Sequence, residues 1–110
     1  MKSDLIQKYK KAAELHGEGT LEGDSNKTNS AHDILIEVYS ELKNNDSVKN
    51  LQVLIKDPNA SVRAWSAMHL LPLFENESID ILDEVSKEKS LVGFSALMTL
   101  KEWKAGKLKF

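Results

Sequence analysis

Cysteine is absent from all 110 residues, so disulfides, thiolate metal sites and cysteine nucleophiles are excluded together. Proline occurs only at positions 58 and 72, which leaves long stretches free of forced helix breaks. Glycine is scarce as well, and three of the five glycines, Gly17, Gly19 and Gly23, crowd into one segment. Runs of β-branched residues are few, whereas Leu, Ala, Lys and Glu abound, a balance that favours helices over strands. Charge of one sign is also lacking. The net charge of −2 gives no global basic field to attract nucleic acid. No apolar run approaches the roughly 20 residues needed to span a bilayer. The opening stretch, "MKSDLIQKYKKAAELHGEG", is charged throughout and holds no apolar signal core, so a cytoplasmic location without membrane attachment is expected.

What is present suffices for a core. Hydrophobic residues make up 41% of the chain. A single domain over residues 1–110 should bury roughly two-thirds of its unfolded surface. Six helices are expected. The first starts near Ser3 and carries Leu5, Tyr9, Ala12, His16 and Thr20 on one stripe, with Glu14, Glu18 and Glu22 on another. That second stripe argues for helix through Gly17 and Gly19, the alternative being a loop from 17 to about 24. Asp24 or Ser25 caps a second helix running to about Lys43, which buries Ala31, Leu35, Val38 and Leu42 with Ile34 and Tyr39 beside them. A short third helix turns Val48, Leu51, Leu54 and Ile55 inward.

The stretch "DPNASVRAWSAMHLL" gives a fourth helix, with Asp57 as the expected N-cap and Pro58 in the first turn, where its missing N–H does no harm. Its inner side reads Val62, Trp65, Met68 and Leu71 or Leu70, and Pro72 ends it. A fifth helix offers Ile79, Leu82 and Val85. Ser90 caps a sixth, whose apolar face is Leu91, Phe94, Leu97 or Met98, and Trp103. The helices group into pairs at about 3–44, 47–73 and 76–105.

The fourth and sixth helices align residue for residue. Val62 matches Leu91, Ala64 matches Gly93, Trp65 matches Phe94, Ser66 matches Ser95, Ala67 matches Ala96, Met68 matches Leu97 and Leu71 matches Leu100. The preceding helices match as well, Val48 with Ile79, Leu51 with Leu82 and Leu54 with Val85. Recurring small residues let helices approach, and a unit with such a face must stack on a copy. The pattern is one of packing, not of chemistry.

An Asp-Pro turn, then Val-Arg, then a small-residue helix resembles the HEAT and armadillo class of helical repeats. The whole chain is similar to a family of small bacterial HEAT-like domains of unknown function, through "AAELHGEGTLEGDSNKTNSAHDIL", "DPNASVRAWSAMHLL" and "SLVGFSALMTLKEWKAGKL". The resemblance implies an all-α fold, a short right-handed superhelix of three antiparallel helix pairs. It implies structural roles for Asp57 and Arg63, the arginine laddering with an acid of a neighbouring repeat. The second copy departs from the pattern, with Lys89 and Val92 where the first has Pro58 and Arg63. No activity comes with the likeness. Analogy of fold class points to bacterial toxin-immunity or adaptor-type proteins.

No motif carries an enzymatic reading. His16 lies on the inner stripe and reads as a packing histidine. His32 precedes Asp33, but adjacent residues point to different helix faces, so the two make no dyad. His69 has no His or Glu at the four-residue spacing of a helical metal site. "GEGTLEG" is acidic and follows a helix, which repels rather than cradles a phosphate. No cofactor or metal is expected, and no catalytic residue is assigned.

Binding of another protein is the expected function. In helical stacks the second helix of each pair lines the concave face, which selects Asp33, Glu37, Arg63, Ser66, His69 and Lys101 as candidate contacts. Acidic runs at Glu14, Glu18, Glu22 and Asp24, and at Glu75, Glu77, Asp80, Asp83 and Glu84, would suit a basic partner. The alternative is nucleic-acid binding through Arg63 and the C-terminal Lys101, Lys104, Lys107 and Lys109. A monomer is expected if Trp103, Leu108 and Phe110 close the last pair, and a homodimer if they stay open.

Overall fold

The computed structural model describes residues 2–108. Five α-helices and one 3₁₀ segment account for it: α1 (Lys2–Glu22), α2 (Ser25–Asn44), the 3₁₀ segment (Val48–Leu54), α3 (Ala60–Leu70), α4 (Glu75–Ser86) and α5 (Leu91–Lys104). There is no strand among the described residues, and the fold is all-α. Lys109 and Phe110 lie outside them.

Helix α1 runs unbroken through both of its inner glycines. Each sits where a neighbouring helix comes close. A Cβ on Gly17 would lie 2.6 Å from Ser61 Cβ of α3, and one on Gly19 would lie 2.5 Å from Thr28 Oγ1 of α2. Close approach therefore outweighs the roughly 1 kcal/mol that glycine forfeits to alanine in a helix. Gly23, at φ +71°, ends α1 in the left-handed region. Asp24 then caps α2 by accepting from the Lys27 amide at 3.1 Å.

The third element is tighter than an α-helix. Val48, Leu51 and Leu54 recur every three residues, which matches the three-per-turn repeat of a 3₁₀ helix. The short third helix expected from the sequence thus forms as a 3₁₀ segment, with Leu51, Leu54 and Ile55 buried. The cap of α3 is also displaced. Asn59, rather than Asp57, is the N-cap, accepting from the Val62 amide at 3.1 Å. Asp57 instead accepts from the Asn59 amide at 3.0 Å and pairs with Lys10 of α1 at 3.1 Å. Pro58 accordingly stands in the turn before the helix.

Two apolar cores flank α3. Ile6, Tyr9, Ala12 and Ala13 of α1 meet Leu35, Val38 and Leu42 of α2, with Leu51, Leu54 and Ile55, on Val62 and Leu70. Ala67 and Leu71, on the other side, meet Leu82 and Val85 of α4 and Ala96 and Leu100 of α5. Helix α1 also touches α3 and α5, a contact between the first and last pairs that a strictly linear stack lacks.

Helix α5 corrects the expected inward face. Its buried residues are Gly93, Ala96 and Leu100, while Leu91 and Phe94 are 57% and 59% exposed, and Leu97 and Met98 are also exposed. The small residues face inward because a Cβ on Gly93 would collide with the Glu88 carbonyl oxygen of the preceding turn. The large ones face outward, where no element among the described residues covers them. Trp103 is half-buried, with Nε1 donating to Glu75 at 2.7 Å.

Gly93→Ala should therefore lower stability by about 1–3 kcal/mol through overpacking, despite the higher helix propensity of alanine. Chemical denaturation reads this directly, and a gain in stability would show that the α4–α5 turn yields to the added methyl.

Candidate functional site

Three of the six candidate contact residues are not available to a partner. Ser66 is fully buried, and its hydroxyl donates to the Val62 carbonyl at 2.7 Å inside α3. Its side chain is short and lies on the face that α3 turns to its neighbours. His69 is buried too, only 2% exposed. The Arg63 guanidinium donates to the Asp57 and Pro58 carbonyls at 2.9 and 3.0 Å and pairs with Glu88 at 3.2 Å. It fastens the turn before α3 to the turn before α5, and so is no free cation for nucleic acid. Asp33 and Lys101 are exposed, and Glu37 reaches Lys8 at 3.7 Å. These six do not form one surface.

The structure does gather the histidines, which the sequence scattered over three helices. Trp65 of α3 is the hub: its ring centroid lies 5.0 Å from His16 of α1, 5.9 Å from His32 of α2 and 5.8 Å from His69. Tyr39 stacks on His69 at 4.1 Å, with 11° between the planes. On the other side, the Tyr9 hydroxyl lies 2.6 Å from His69 Nδ1, within the first core. Spacing along one helix could not reveal this cluster, because its three histidines come from three different helices.

Burial sets the protonation of the cluster. Desolvation, reinforced by the charge of His32, pushes the His69 imidazole down from its ordinary 6.5 to about 3. Desolvation, again with His32, also lowers half-buried His16. Tyr9 is raised well above the usual phenol value, first by burial and then by Tyr39. A neutral imidazole and a neutral phenol therefore share the buried hydrogen bond. Among the described residues, no group of three His, Asp or Glu side chains is arranged to hold a metal ion.

Two clefts open on either side of this cluster. One, of about 180 Å³, runs between α1, α3 and α5, with Thr20, Trp65, Met68, Val92 and Thr99 in its lining. The other, of about 370 Å³, lies between the end of α2, the 3₁₀ segment and the α3–α4 turn. Helix α5 lines the first with Val92, Ser95, Ala96 and Thr99, and leaves an apolar row on another face in solvent. Leu91, Phe94 and Met98 follow a three-then-four spacing along one side of the helix, with Leu97 beside them.

No protein-family profile and no curated protein matches the chain. Among solved structures it is similar to the protein RPA1889 from Rhodopseudomonas palustris CGA009, at 22% identity and a TM-score of 0.89, over 100% of this chain and 93% of that one. The likeness shows the fold alone. No helix among the described residues is long and apolar enough to cross a membrane.

The low His69 value fixes a pH dependence. Above about 6.5 the imidazole is neutral in both states and contributes no slope. Between 6.5 and about 3 the unfolded chain binds a proton that the folded chain refuses, so stability is lost as the pH drops, by up to about 1.4 kcal/mol per unit. His16 adds in the same direction. His69→Gln, which has no titrating group, should start less stable at pH 7.5 and lose less on acidification to pH 4.5. Urea denaturation across that range checks this, and an acid slope identical to the parent would show that His69 is not held neutral.

Proposed function

We propose that the chain is a non-catalytic, cytoplasmic protein-binding module that receives its partner on α5 and the adjoining cleft. The observation that carries this reading is the row Leu91, Phe94, Leu97 and Met98, four large apolar side chains left in solvent on one short helix. Single exposed apolar residues are ordinary, but a row of large ones along one helix is the usual mark of a docking surface. Its three-then-four spacing suits a partner helix that lays its own apolar face along α5.

Charge adds a direction. Lys101 and Lys104 extend the row toward the end of α5, Lys107 follows in the next turn, and none of the three forms an ion pair among the described residues. An acidic margin on the partner would raise the association rate and fix its orientation. The acidic runs of the chain support the reading less well, because several of their members are engaged internally: Glu22 with Lys27, Glu75 with Trp103, Glu77 with Gln52 and Asp83 with Lys87. A toxin-immunity or adaptor-type role, in which the module occludes the partner's working surface, is the specific form that this proposal takes. The HEAT-like superhelical reading is consistent with it, since stacked helices commonly present such faces.

Affinity capture from the native cytoplasm tests the proposal. A stoichiometric protein partner should be recovered, and Phe94→Ser should weaken its binding by about tenfold or more, the loss expected of a central apolar anchor. The substitution lies on the surface and should leave the fold intact. Hydrogen exchange of the complex should show new protection over residues 91–98. Failure to recover a partner, or capture indifferent to Phe94, would count against the reading.

A further inference from the structure

The second cleft does not belong to the α5 surface, and its chemistry is different. It is closed by Tyr39 and Lys43 from the end of α2, Asp46 and Lys49 around the start of the 3₁₀ segment, and the α3–α4 turn with Leu73 and Phe74. His69 lies at its floor. The volume of about 370 Å³ falls within the range of small-molecule sites.

Its walls combine two features. Tyr39, Val48, Leu73 and Phe74 make an aromatic and aliphatic slot, with the Tyr39 ring held in place by its stack on His69. Lys43 and Lys49 bring two positive charges against the single carboxylate of Asp46. Neither lysine forms an ion pair with Asp46 or with any other carboxylate among the described residues. Carbonyl groups at a helix end would ordinarily disfavour an anion here. At the end of α2, however, the Leu42 and Lys43 carbonyls already accept from the Ser47 and Asp46 amides, at 2.7 and 3.1 Å. His69, held neutral by burial, adds no charge at the floor, so Lys43 and Lys49 alone supply the positive charge there.

We propose that this cleft is a binding site for a small aromatic acid, a ring carrying a carboxylate or phosphate. The ring lies in the slot between Tyr39 and Phe74, and the anionic group reaches Lys43 and Lys49. Apolar surface supplies the contact area and the lysines select the charge, the division of labour typical of small-ligand sites. Because no residue of this cleft lies on α5, the site stands independently of the protein-binding reading.

Titration of the isotopically labelled protein by NMR tests it with four probes: 4-hydroxybenzoate, phenyl phosphate, benzyl alcohol and inorganic phosphate. One or both aromatic acids should give saturable shifts at the amides around Tyr39, Lys49 and Leu73. The better acid should bind about tenfold or more tightly than either benzyl alcohol or inorganic phosphate, because each of those lacks one half of the recognition. The Lys43→Gln/Lys49→Gln double variant should keep its thermal stability, since both lysines are exposed, and should lose about tenfold in affinity. Phe94→Ser should bind the acids unchanged, which separates this site from the α5 surface. Absence of saturation with both acids, equal affinity for inorganic phosphate, or full binding by the double variant would each overturn the proposal.

Discussion

The fold depends on how closely α1 can cross α3. At Gly17 the missing side chain brings the α1 backbone against Ser61, whose hydroxyl donates to the Ala13 carbonyl at 2.7 Å. Two turns earlier, Tyr9 reaches His69 near the other end of α3. These contacts fix the first helix pair on α3 at two points, and the apolar core of Leu35, Val38, Leu42, Leu51 and Val62 closes between them. A small residue for approach, and a buried polar pair for register, set one crossing where apolar contact alone would tolerate several.

Everything of functional interest follows from that crossing. Because α1 lies across α3 and continues to α5, the first cleft forms where the three helices diverge. Because His69 is drawn into the core, Tyr39 can stack on it and wall the second cleft. The same helix thus supplies both clefts, and α3 serves as the common spine with a core on each side. Arg63 completes the arrangement by joining the turns that precede α3 and α5, a structural role for the one arginine of the chain.

The sequence disclosed the elements more fully than the surfaces. Apolar spacing placed α2 and its buried face correctly, down to Ala31, Leu35, Val38 and Leu42. The acidic stripe on α1 justified helix through its glycines. What failed was inference from one repeat to the next. Phe94 matches Trp65 in sequence, yet Trp65 packs against rings of α1 and α2 while no element among the described residues covers Phe94. The neighbouring helices, not residue type, decided burial there. The contact residues chosen from the second helix of each pair failed similarly, since Ser66 and His69 fall on the side of α3 that packs. The histidine cluster was invisible for a further reason: it is assembled across helices, and spacing rules see only one helix at a time.

A double-mutant cycle between Gly17→Ala and Ser61→Gly measures the α1–α3 approach most directly. A methyl at position 17 would meet Ser61 Cβ at 2.6 Å, so removing that Cβ should recover much of what the alanine loses. The two changes should show a coupling energy of about 1 kcal/mol or more in chemical denaturation. Additive effects, with Gly17→Ala equally harmful whether or not Ser61 is present, would mean that the two helices do not meet there and would contradict the account.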